Sequence, residues 1–217
     1  MDKKILDQQS QHWEVNFSNK PEMFGLEPSI SAQKSLKIFK NLNISNIVEL
    51  GAGLGRDTIY FGQNSIYVEA LDYSFSGIKR IKQKIINNNL SNFVSTKIFD
   101  IRNKIPFKDN SVDAFYSHML YCMALTSKEI ERLNNEIHRI LKPGGINIYT
   151  VRHTNDGDFQ NGIYRGENLY ENDGIIVQYF SKEKINSLLD GFKNISLENF
   201  EEGTFPRKLF FVVNEKK

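Results

Sequence analysis

The sequence lacks the features that define several large classes of protein. It has one cysteine among 217 residues, which excludes a disulfide framework and any multi-cysteine zinc site, and we expect no bound metal. No apolar run approaches the ~20 residues that cross a bilayer, and the opening residues, MDKKILDQQSQHW, have no apolar stretch typical of a secretory signal. The 28 Lys and Arg against 26 Asp and Glu leave a net charge of +2, so no strong overall field attracts polyanions. These absences predict a soluble, cytoplasmic, single-domain protein with no membrane partner and with nucleic acid as an unfavoured one.

Short apolar runs alternate with helical segments from about residue 46 onward. Two helices are clear: one has an isoleucine stripe at residues 78, 81, 85 and 86, and the other begins with capping-box spacing at Thr126 and Glu129 and is expected to stop at Pro143. This alternation is typical of βαβ units and predicts a mostly parallel sheet with helices on both faces. The predicted strands occupy five runs: 47–50, 66–71, 93–99, 112–116 and 146–151.

The two ends of the chain depart from this alternation. Residues 1–29 carry Trp13, Phe17, Met23 and Phe24 among polar residues, which predicts a helical cap before the first strand. Near the C-terminus, the segments ISLENF and KLFFVV have too short a connection for a crossover helix, so they should form an antiparallel hairpin. We therefore expect an α/β, doubly wound, Rossmann-like sheet of seven strands with an antiparallel C-terminal strand. The expected divisions are the cap and first helix (1–44), the core (45–152), a lid or substrate insertion (153–180), and the last helix with the hairpin (181–217).

A glycine-rich turn follows the first predicted strand in the segment IVELGAGLGRDT. Glycines suit a turn where the backbone approaches a ligand, and the helix that follows offers free N–H groups. A dinucleotide fingerprint would place its third glycine at position 56, but that residue is Arg56 and the glycine is Gly55. Gly-x-Gly-x-Gly behind an acidic residue instead resembles the class I S-adenosylmethionine (SAM) methyltransferases. A tight turn with no ligand is the alternative for this motif alone.

Four later segments match the same family in order and spacing. Asp72 ends the second strand, where a carboxylate can accept hydrogen bonds from both ribose hydroxyls, although such a residue is often only a helix cap. The resemblance implies that Asp100 meets the adenine amine while Ile101 packs on the ring; SVDAFYSHML and EIHRILKPGGINIYTV match the later motifs. It thus implies SAM as the cofactor and S-adenosylhomocysteine as the product. The expected cofactor-binding residues are Glu49, Gly51, Ala52, Gly53, Gly55, Arg56, Asp72, Tyr73, Asp100, Ile101 and Ser117.

Within the family, VELGAGLGRDTIYF is most similar to small-molecule methyltransferases of the tellurite-resistance and thiopurine methyltransferase type. The Gly-Arg-Asp extension carries this similarity. Arg56 could pair with the cofactor's carboxylate or be a solvated residue that opposes the helix dipole, and the sequence favours neither.

Candidate catalytic residues follow the fourth predicted strand, at the sheet edge where open α/β folds bind ligands. A methyl group on a sulfonium is already activated, so positioning can carry the reaction without a base. If a base acts, His118 is the candidate, with an oriented but inert histidine as the alternative; Tyr121 lines the same pocket or merely packs there. Cys122 stands between Tyr121 and Met123 with no proline beside it, so we interpret it as a small buried hydrophobe.

The expected substrate contacts come from outside the core motifs. They are Trp13, Phe17, Phe24, Arg152, His153 and Tyr164, and Arg207 near the hairpin could meet an anionic substrate or be solvated. The favoured function is methyl transfer to a small molecule. RNA or protein methylation by the same fold and a non-catalytic SAM-binding regulator are the alternatives, and a nicotinamide dehydrogenase is disfavoured by the glycine spacing. The sequence leaves the oligomeric state open.

Overall fold

The five predicted core strands form the parallel part of one sheet in a computed structural model that describes residues 2–203 and 206–217. Their order in the sheet is β3-β2-β1-β4-β5, and every neighbouring pair is parallel. Chain reversal between β1 and β4 creates a crevice at the carboxyl ends of the strands, which is where such sheets bind ligands. The bounds are β1 Asn46–Leu50, β2 Tyr67–Asp72, β3 Val94–Ile98, β4 Val112–His118 and β5 Leu141–His153.

The C-terminal hairpin adds two antiparallel strands to the sheet. β9 (Phe192–Glu202) and β10 (Arg207–Lys216) pair antiparallel, and β10 also lies antiparallel to β5, from Leu209 opposite Arg152 to Glu215 opposite Ile146. The predicted hairpin and the antiparallel C-terminal strand are confirmed. The predicted number of seven strands is wrong: among the described residues the sheet has ten, because three strands of the insertion after β5 join it as well.

Helices cover both faces of the sheet. α3 (Ile30–Asn41), α4 (Arg56–Gln63) and α5 (Phe75–Asn87) pack on one face, and α6 (Ser127–Ile140) and α7 (Lys182–Asn186) on the other. The doubly wound arrangement is therefore confirmed. The cap before α3 contains α1 (Lys3–Asp7) and α2 (Gln9–Asn19). No helix within the described ranges combines the length and apolar character that a membrane crossing needs.

Two local predictions about the helices need correction. Ile86 is 65% exposed, because it lies a further 100° around α5 from the buried Ile85 and leaves the apolar stripe. α6 begins with the predicted capping box at Thr126, but it ends at Ile140, and Pro143 lies within β5 instead of terminating the helix.

The insertion after β5, which the sequence predicts as a lid or substrate insertion, contains a small antiparallel sheet. It comprises β6 (Ile163–Gly166), β7 (Leu169–Asn172) and β8 (Ile175–Phe180), and β8 joins β5 through Arg152 opposite Tyr179 and His153 opposite Phe180. Both connections are two-residue turns with positive φ, at Glu167-Asn168 and Asp173-Gly174. Such turns match the twist of a hairpin, and the Asp-Gly pair was a readable signal for one.

Candidate functional site

The glycine turn lies between β1 and α4 at the carboxyl edge of the sheet. Gly51, Gly53 and Gly55 have φ of 70°, 55° and 77°, in the left-handed region that favours glycine. The N–H groups of Gly51 and Ala52 donate to the carbonyl of Leu71 at 2.8 and 3.1 Å. The turn is therefore fixed to the end of β2, next to Asp72.

Close packing behind the turn depends on a glycine that the sequence did not single out. A Cβ at Gly77, near the start of α5, would lie 2.6 Å from the carbonyl oxygen of Gly53. A Cβ at Gly53 itself would face the ring of Phe17 at 3.5 Å, an ordinary contact distance. The turn is thus held from behind by α5, and its front faces the aromatic cap.

Asp72 presents its carboxylate beside the turn. Oδ2 accepts from the N–H of Gly53 and Oδ1 from that of Ser74, both at 2.8 Å. Burial raises the pKa of Asp72 to about 6, against the opposing effect of these two hydrogen bonds. Each oxygen still has a lone pair for a further donor.

Two more carboxylates are buried near the turn. Glu49, at the end of β1, accepts from the Thr58 hydroxyl at 2.5 Å, and burial followed by the charge of Asp57 raises its pKa well above the usual value. Asp57 accepts from Ser29 Oγ and from Tyr116 Oη, both at 2.7 Å, so it ties the start of α3 to α4 and β4. The hydrogen bonds of Asp57 thus serve to hold these elements of the fold together.

One cavity of about 760 Å³ extends from this turn to the insertion and the end of the hairpin. Fourteen of the residues predicted for the site line it: Trp13, Phe17, Phe24, Glu49, Gly51, Ala52, Gly53, Gly55, Arg56, Asp72, Tyr73, Ile101, His118 and Arg152. The structure therefore brings together residues from the cap, the core and the sheet edge around a volume typical of small-ligand pockets.

Five of the predicted site residues lie outside the cavity wall. Tyr121 is fully buried, stacks on Tyr149 at 4.3 Å, and has its hydroxyl 3.1 Å from Asn147 Nδ2, so it belongs to the core and not to a substrate surface. Asp100 directs its carboxylate at Arg102, whose Nε lies 3.0 Å from Oδ1. Because Arg102 already occupies the carboxylate oxygens, they are not free to accept from the adenine amine, which was the contact expected of Asp100.

The other three are Ser117, His153 and Tyr164. Ser117 is buried within β4. His153 stacks on Phe210 at 4.1 Å and accepts from the backbone N–H of Asn155 through Nδ1 at 2.7 Å. Tyr164 is 61% exposed on β6, where it packs against Tyr170, because pairing in the small sheet turns it outward.

His118 lines the cavity with both ring nitrogens engaged. Nδ1 lies 3.0 Å from Thr150 Oγ1, and Nε2 lies 3.0 Å from Glu202 Oε2. Thr150 Oγ1 also accepts the N–H of Met119 at 2.9 Å, which leaves its hydroxyl hydrogen free for His118 Nδ1. The ring would have to give up a partner before taking a proton from a ligand.

Glu202 is a cavity residue that the sequence analysis missed. Its Oε1 accepts from the N–H of Ile30 at 3.1 Å, and Arg56 Nη2 lies 3.6 Å away. Burial is the largest single influence and raises the pKa of Glu202, but the contacts with His118, Arg56 and the Ile30 backbone together lower it below its usual value. No local motif marks this glutamate, because each of its partners lies far from it in the chain.

Arg56 lines the cavity and contacts several protein groups. Its Nη1 donates to the carbonyl of Phe24 at 3.1 Å, and its other neighbours are Glu202 and Asp57, the latter at 3.8 Å. The side chain therefore links the cap, α4 and the hairpin.

Aromatic residues of the cap cover the glycine turn. The ring of Trp13 lies 5.4 Å from that of Phe17 and 6.3 Å from that of Phe24. Glu14 fastens this layer to the core, because it accepts from Ser74 Oγ at 2.6 Å and from Ser76 Oγ at 2.5 Å. Ser74 thus links the cap to Asp72, because its hydroxyl donates to Glu14 and its backbone N–H donates to Asp72.

Arg152 and Cys122 complete the predicted set. Arg152 is 4% exposed, lies over the Tyr179 ring at 5.4 Å, and is paired with Asp156 and with Asp158 at 2.7 Å, so its charge is already matched. Cys122 is fully buried, and burial raises the pKa of its thiol to about 11, so a thiolate is disfavoured there.

Comparison with known proteins agrees with this geometry. Residues 48–149 match the family model described as a methyltransferase domain. This part of the chain is therefore similar to methyltransferase domains, in agreement with the family and the cofactor, SAM, that the glycine turn and Asp72 predict. The match covers β1 to most of β5, the elements that supply the turn and Asp72.

Individual relatives share the domain but differ in length. The chain is 31% identical over 133 residues to phosphoethanolamine N-methyltransferase 1 of Triticum aestivum, which covers 61% of this chain and 24% of that protein. The chain thus spans about a quarter of that curated relative's length.

Solved structures show the fold across more of the chain. The 1,6-didemethyltoxoflavin-N1-methyltransferase of Burkholderia thailandensis, solved with 1,6-didemethyltoxoflavin and S-adenosylhomocysteine, superposes with a TM-score of 0.78 at 15% identity, over 100% of this chain and 91% of that one. TehB from Haemophilus influenzae superposes with a TM-score of 0.69 at 15% identity, over 94% of this chain and 67% of that one. These likenesses extend the shared fold to the cap and the hairpin.

Proposed function

We propose that this chain transfers a methyl group from SAM to a small-molecule nucleophile. The observation that carries the proposal is the single cavity, which has the glycine turn and Asp72 at one end and the cap, insertion and hairpin at the other. A volume of about 760 Å³ has room for a cofactor and a small second ligand together.

The residues at the first end fit SAM. Asp72 has unused acceptor capacity for two hydroxyl groups, Gly53 lines the cavity with backbone alone, and Ile101 offers an apolar surface for a ring. We propose that these three, with Glu49, Gly51, Ala52, Gly55 and Tyr73, hold the cofactor. Asp100 and Ser117 leave this set because neither lines the cavity, and Arg56 leaves it because its guanidinium already contacts Phe24, Glu202 and Asp57.

Catalysis is proposed to rest mainly on positioning. Bound SAM supplies a methyl carbon that is already electrophilic because it is attached to a sulfonium. The chain's own residues would orient the acceptor in line with that carbon and exclude water, which Trp13, Phe17 and Phe24 do by covering the turn. Positioning of this kind can contribute several kcal/mol to lowering a barrier. The contacts of His118 support catalysis without a base, since both of its ring nitrogens are already bound to protein groups.

Methyl transfer from labelled SAM tests the proposal. The protein is incubated with SAM that carries tritium in its methyl group, together, in separate reactions, with a metabolite panel, with bulk tRNA or with unfolded protein. Phosphoethanolamine belongs in the panel because it appears in the name of the wheat relative. We expect SAM binding and transfer to a metabolite, with both reduced at least tenfold in Asp72→Ala. SAM binding without transfer to any acceptor would favour a non-catalytic binder, and label in tRNA or protein alone would favour the macromolecular alternative. Binding of NAD in place of SAM would contradict the proposal.

A further inference from the structure

The end of the C-terminal hairpin places two opposite charges on the wall of the same cavity. Glu202 and Arg207 are register partners in β9 and β10, and both line the cavity. Partners in register project from the same face of a sheet with Cβ atoms about 4.5–5.5 Å apart, so opposite charges at such positions ordinarily pair. Here the described residues show no ion pair between them, because Glu202 turns to His118 and Arg56 instead.

The carboxylate of Glu202 is held in place without being neutralised. The backbone of Ile30 and the ring of His118 fix its two oxygens. Arg56 is the nearest full positive charge, and it lies between Glu202 at 3.6 Å and Asp57 at 3.8 Å. One guanidinium facing two carboxylates leaves these three side chains with one negative charge in excess. A carboxylate also has more lone pairs than these donors use.

Arg207 is the one of three cavity-lining arginines that has no carboxylate partner among the described residues. Arg56 has Glu202 and Asp57, and Arg152 has Asp156 and Asp158. A guanidinium has five N–H donors arranged for two-point contact with an anionic group. The hairpin end therefore offers a fixed carboxylate that can bind a cation and, a short distance away, a guanidinium that can bind an anion.

The wall between and beneath these charges is apolar. Leu209 follows Arg207 by two residues, so it projects from the same face of β10, and it lines the cavity with Met119 and Val177. A ligand here would have a short uncharged body between two charged ends.

We propose that the methyl-accepting substrate is a small zwitterionic amine, whose ammonium group contacts Glu202 and whose acidic group contacts Arg207. This inference rests on the proposed function and assigns the substrate class of its cavity. Glu202 and Arg207 are then residues that determine specificity.

The inference is tested by measuring how compounds of different charge bind to the protein when S-adenosylhomocysteine is already bound. β-Alanine, taurine and phosphoethanolamine carry both charges, ethanolamine carries only the positive one and propionate only the negative one. We expect at least one of the three zwitterions to bind at least tenfold more tightly than either singly charged compound in calorimetric titrations. Glu202→Gln should reduce its affinity to that of propionate, and Arg207→Gln to that of ethanolamine.

Matched controls lie on the same hairpin. Glu201 and Lys208 are also register partners, one position along each strand, and so face the opposite side of the sheet. Glu201→Gln and Lys208→Gln should leave zwitterion affinity unchanged. Equal losses in these controls, or no preference for zwitterions in the unmodified protein, would overturn the inference.

The same experiments distinguish a failure of this inference from a failure of the proposed function. A protein that does not bind S-adenosylhomocysteine contradicts the methyltransferase assignment, whereas one that binds it and treats the five compounds alike contradicts only the substrate class. If Glu202→Gln does not fold, the ligand series on the unmodified protein and Glu202→Asp still decides, because the shorter acid should keep the preference for zwitterions over propionate.

Discussion

Among single residues, Asp72 connects cofactor binding to pH. Its carboxylate has a pKa of about 6 because it is buried, so it is ionised above that pH and protonated below it. Ribose hydroxyls would donate to the ionised form. We therefore expect the affinity for SAM to be constant near pH 7–8 and to fall by about tenfold per pH unit below 6, as measured by calorimetry.

Asp72→Asn separates this effect from the titration of Glu49, the other buried acid near the turn. The amide should bind SAM more weakly at pH 7, by about 1.5–3 kcal/mol for the hydrogen bonds to charge that are lost. Its affinity should then change little between pH 5 and 7. A slope as steep as that of the unmodified protein would assign the titration to Glu49 or another group.

Gly77 tests how closely α5 supports the glycine turn. Alanine is the better helix former by about 1 kcal/mol, so a purely local effect would stabilise the protein. A Cβ at this position, however, would lie 2.6 Å from the backbone oxygen of Gly53, which cannot rotate away. We expect Gly77→Ala to lower stability by about 1–3 kcal/mol and to weaken SAM binding, measured by denaturant unfolding and calorimetry.

Gly157 provides the comparison for this variant. A Cβ there would meet nothing within 4 Å, so Gly157→Ala should leave both quantities nearly unchanged. A Gly77→Ala protein with raised stability and full SAM affinity would show that α5 does not constrain the turn.

Among the elements, α2 is attached to the core at both ends: Gln9 bonds the backbone of Gly174 and Ile176, and Glu14 bonds the start of α5. Glu14 accepts three hydrogen bonds there, from both Ser74 and Ser76. Glu14→Gln should loosen α2 by on the order of 1 kcal/mol while the central sheet keeps its stability. Hydrogen exchange should then rise in residues 9–19 without a matching rise in β1 and β4.

Glu22→Gln serves as its control. Glu22 also lies in the cap, but its contact with Arg80 is long, at 3.7 Å, and exposed, so little should change. If Glu14→Gln leaves exchange in α2 unaltered, the other contacts of α2 suffice to hold it.

The elements also show what a sequence can predict here and what it cannot. β1, α5, α6 and the hairpin follow from apolar periodicity and caps, because each buries a stripe or face that its own residues define. Tyr164 was misplaced since the insertion's hairpin turns were taken for loop, and a strand's register decides which side chains face inward. Tyr121 and Asp100 have the right positions in the chain, but Tyr149 and Arg102 occupy their functional groups.

Glu202 was beyond prediction from sequence alone. Its contacts with His118, Arg56 and Ile30 join four elements that are adjacent only in the folded sheet. Cofactor motifs are local turns and strand ends, whereas the substrate end is built from long-range contacts.

In the whole molecule, the cavity wall combines segments that are distant in the chain. The cap supplies its aromatic cover, β1, β2 and β4 its floor, the insertion one side and the end of the hairpin another. A ligand that fills this volume contacts all of them, so its binding free energy is shared among elements that otherwise meet through few bonds. Binding should therefore stabilise the fold as a unit.

Thermal unfolding with S-adenosylhomocysteine measures this coupling. At a concentration one hundred times its dissociation constant, a ligand that binds only the folded state adds about 2.7 kcal/mol. For a chain of this length that is equivalent to a rise in Tm of about 5–11 °C. NAD at the same concentration should produce no rise, because the glycine spacing does not suit a dinucleotide.

The distribution of the added protection decides whether the cavity acts as one site. We expect bound S-adenosylhomocysteine to slow hydrogen exchange in the turn at 51–55, in α2 and at the end of β9 near Glu202. The exposed edge strand β6, which carries Tyr164 away from the cavity, should exchange at an unchanged rate and so serves as the internal control. Protection confined to residues 48–149 would show that the cap and the hairpin stand apart from the bound cofactor, and the substrate would then have to be recognised by the core alone.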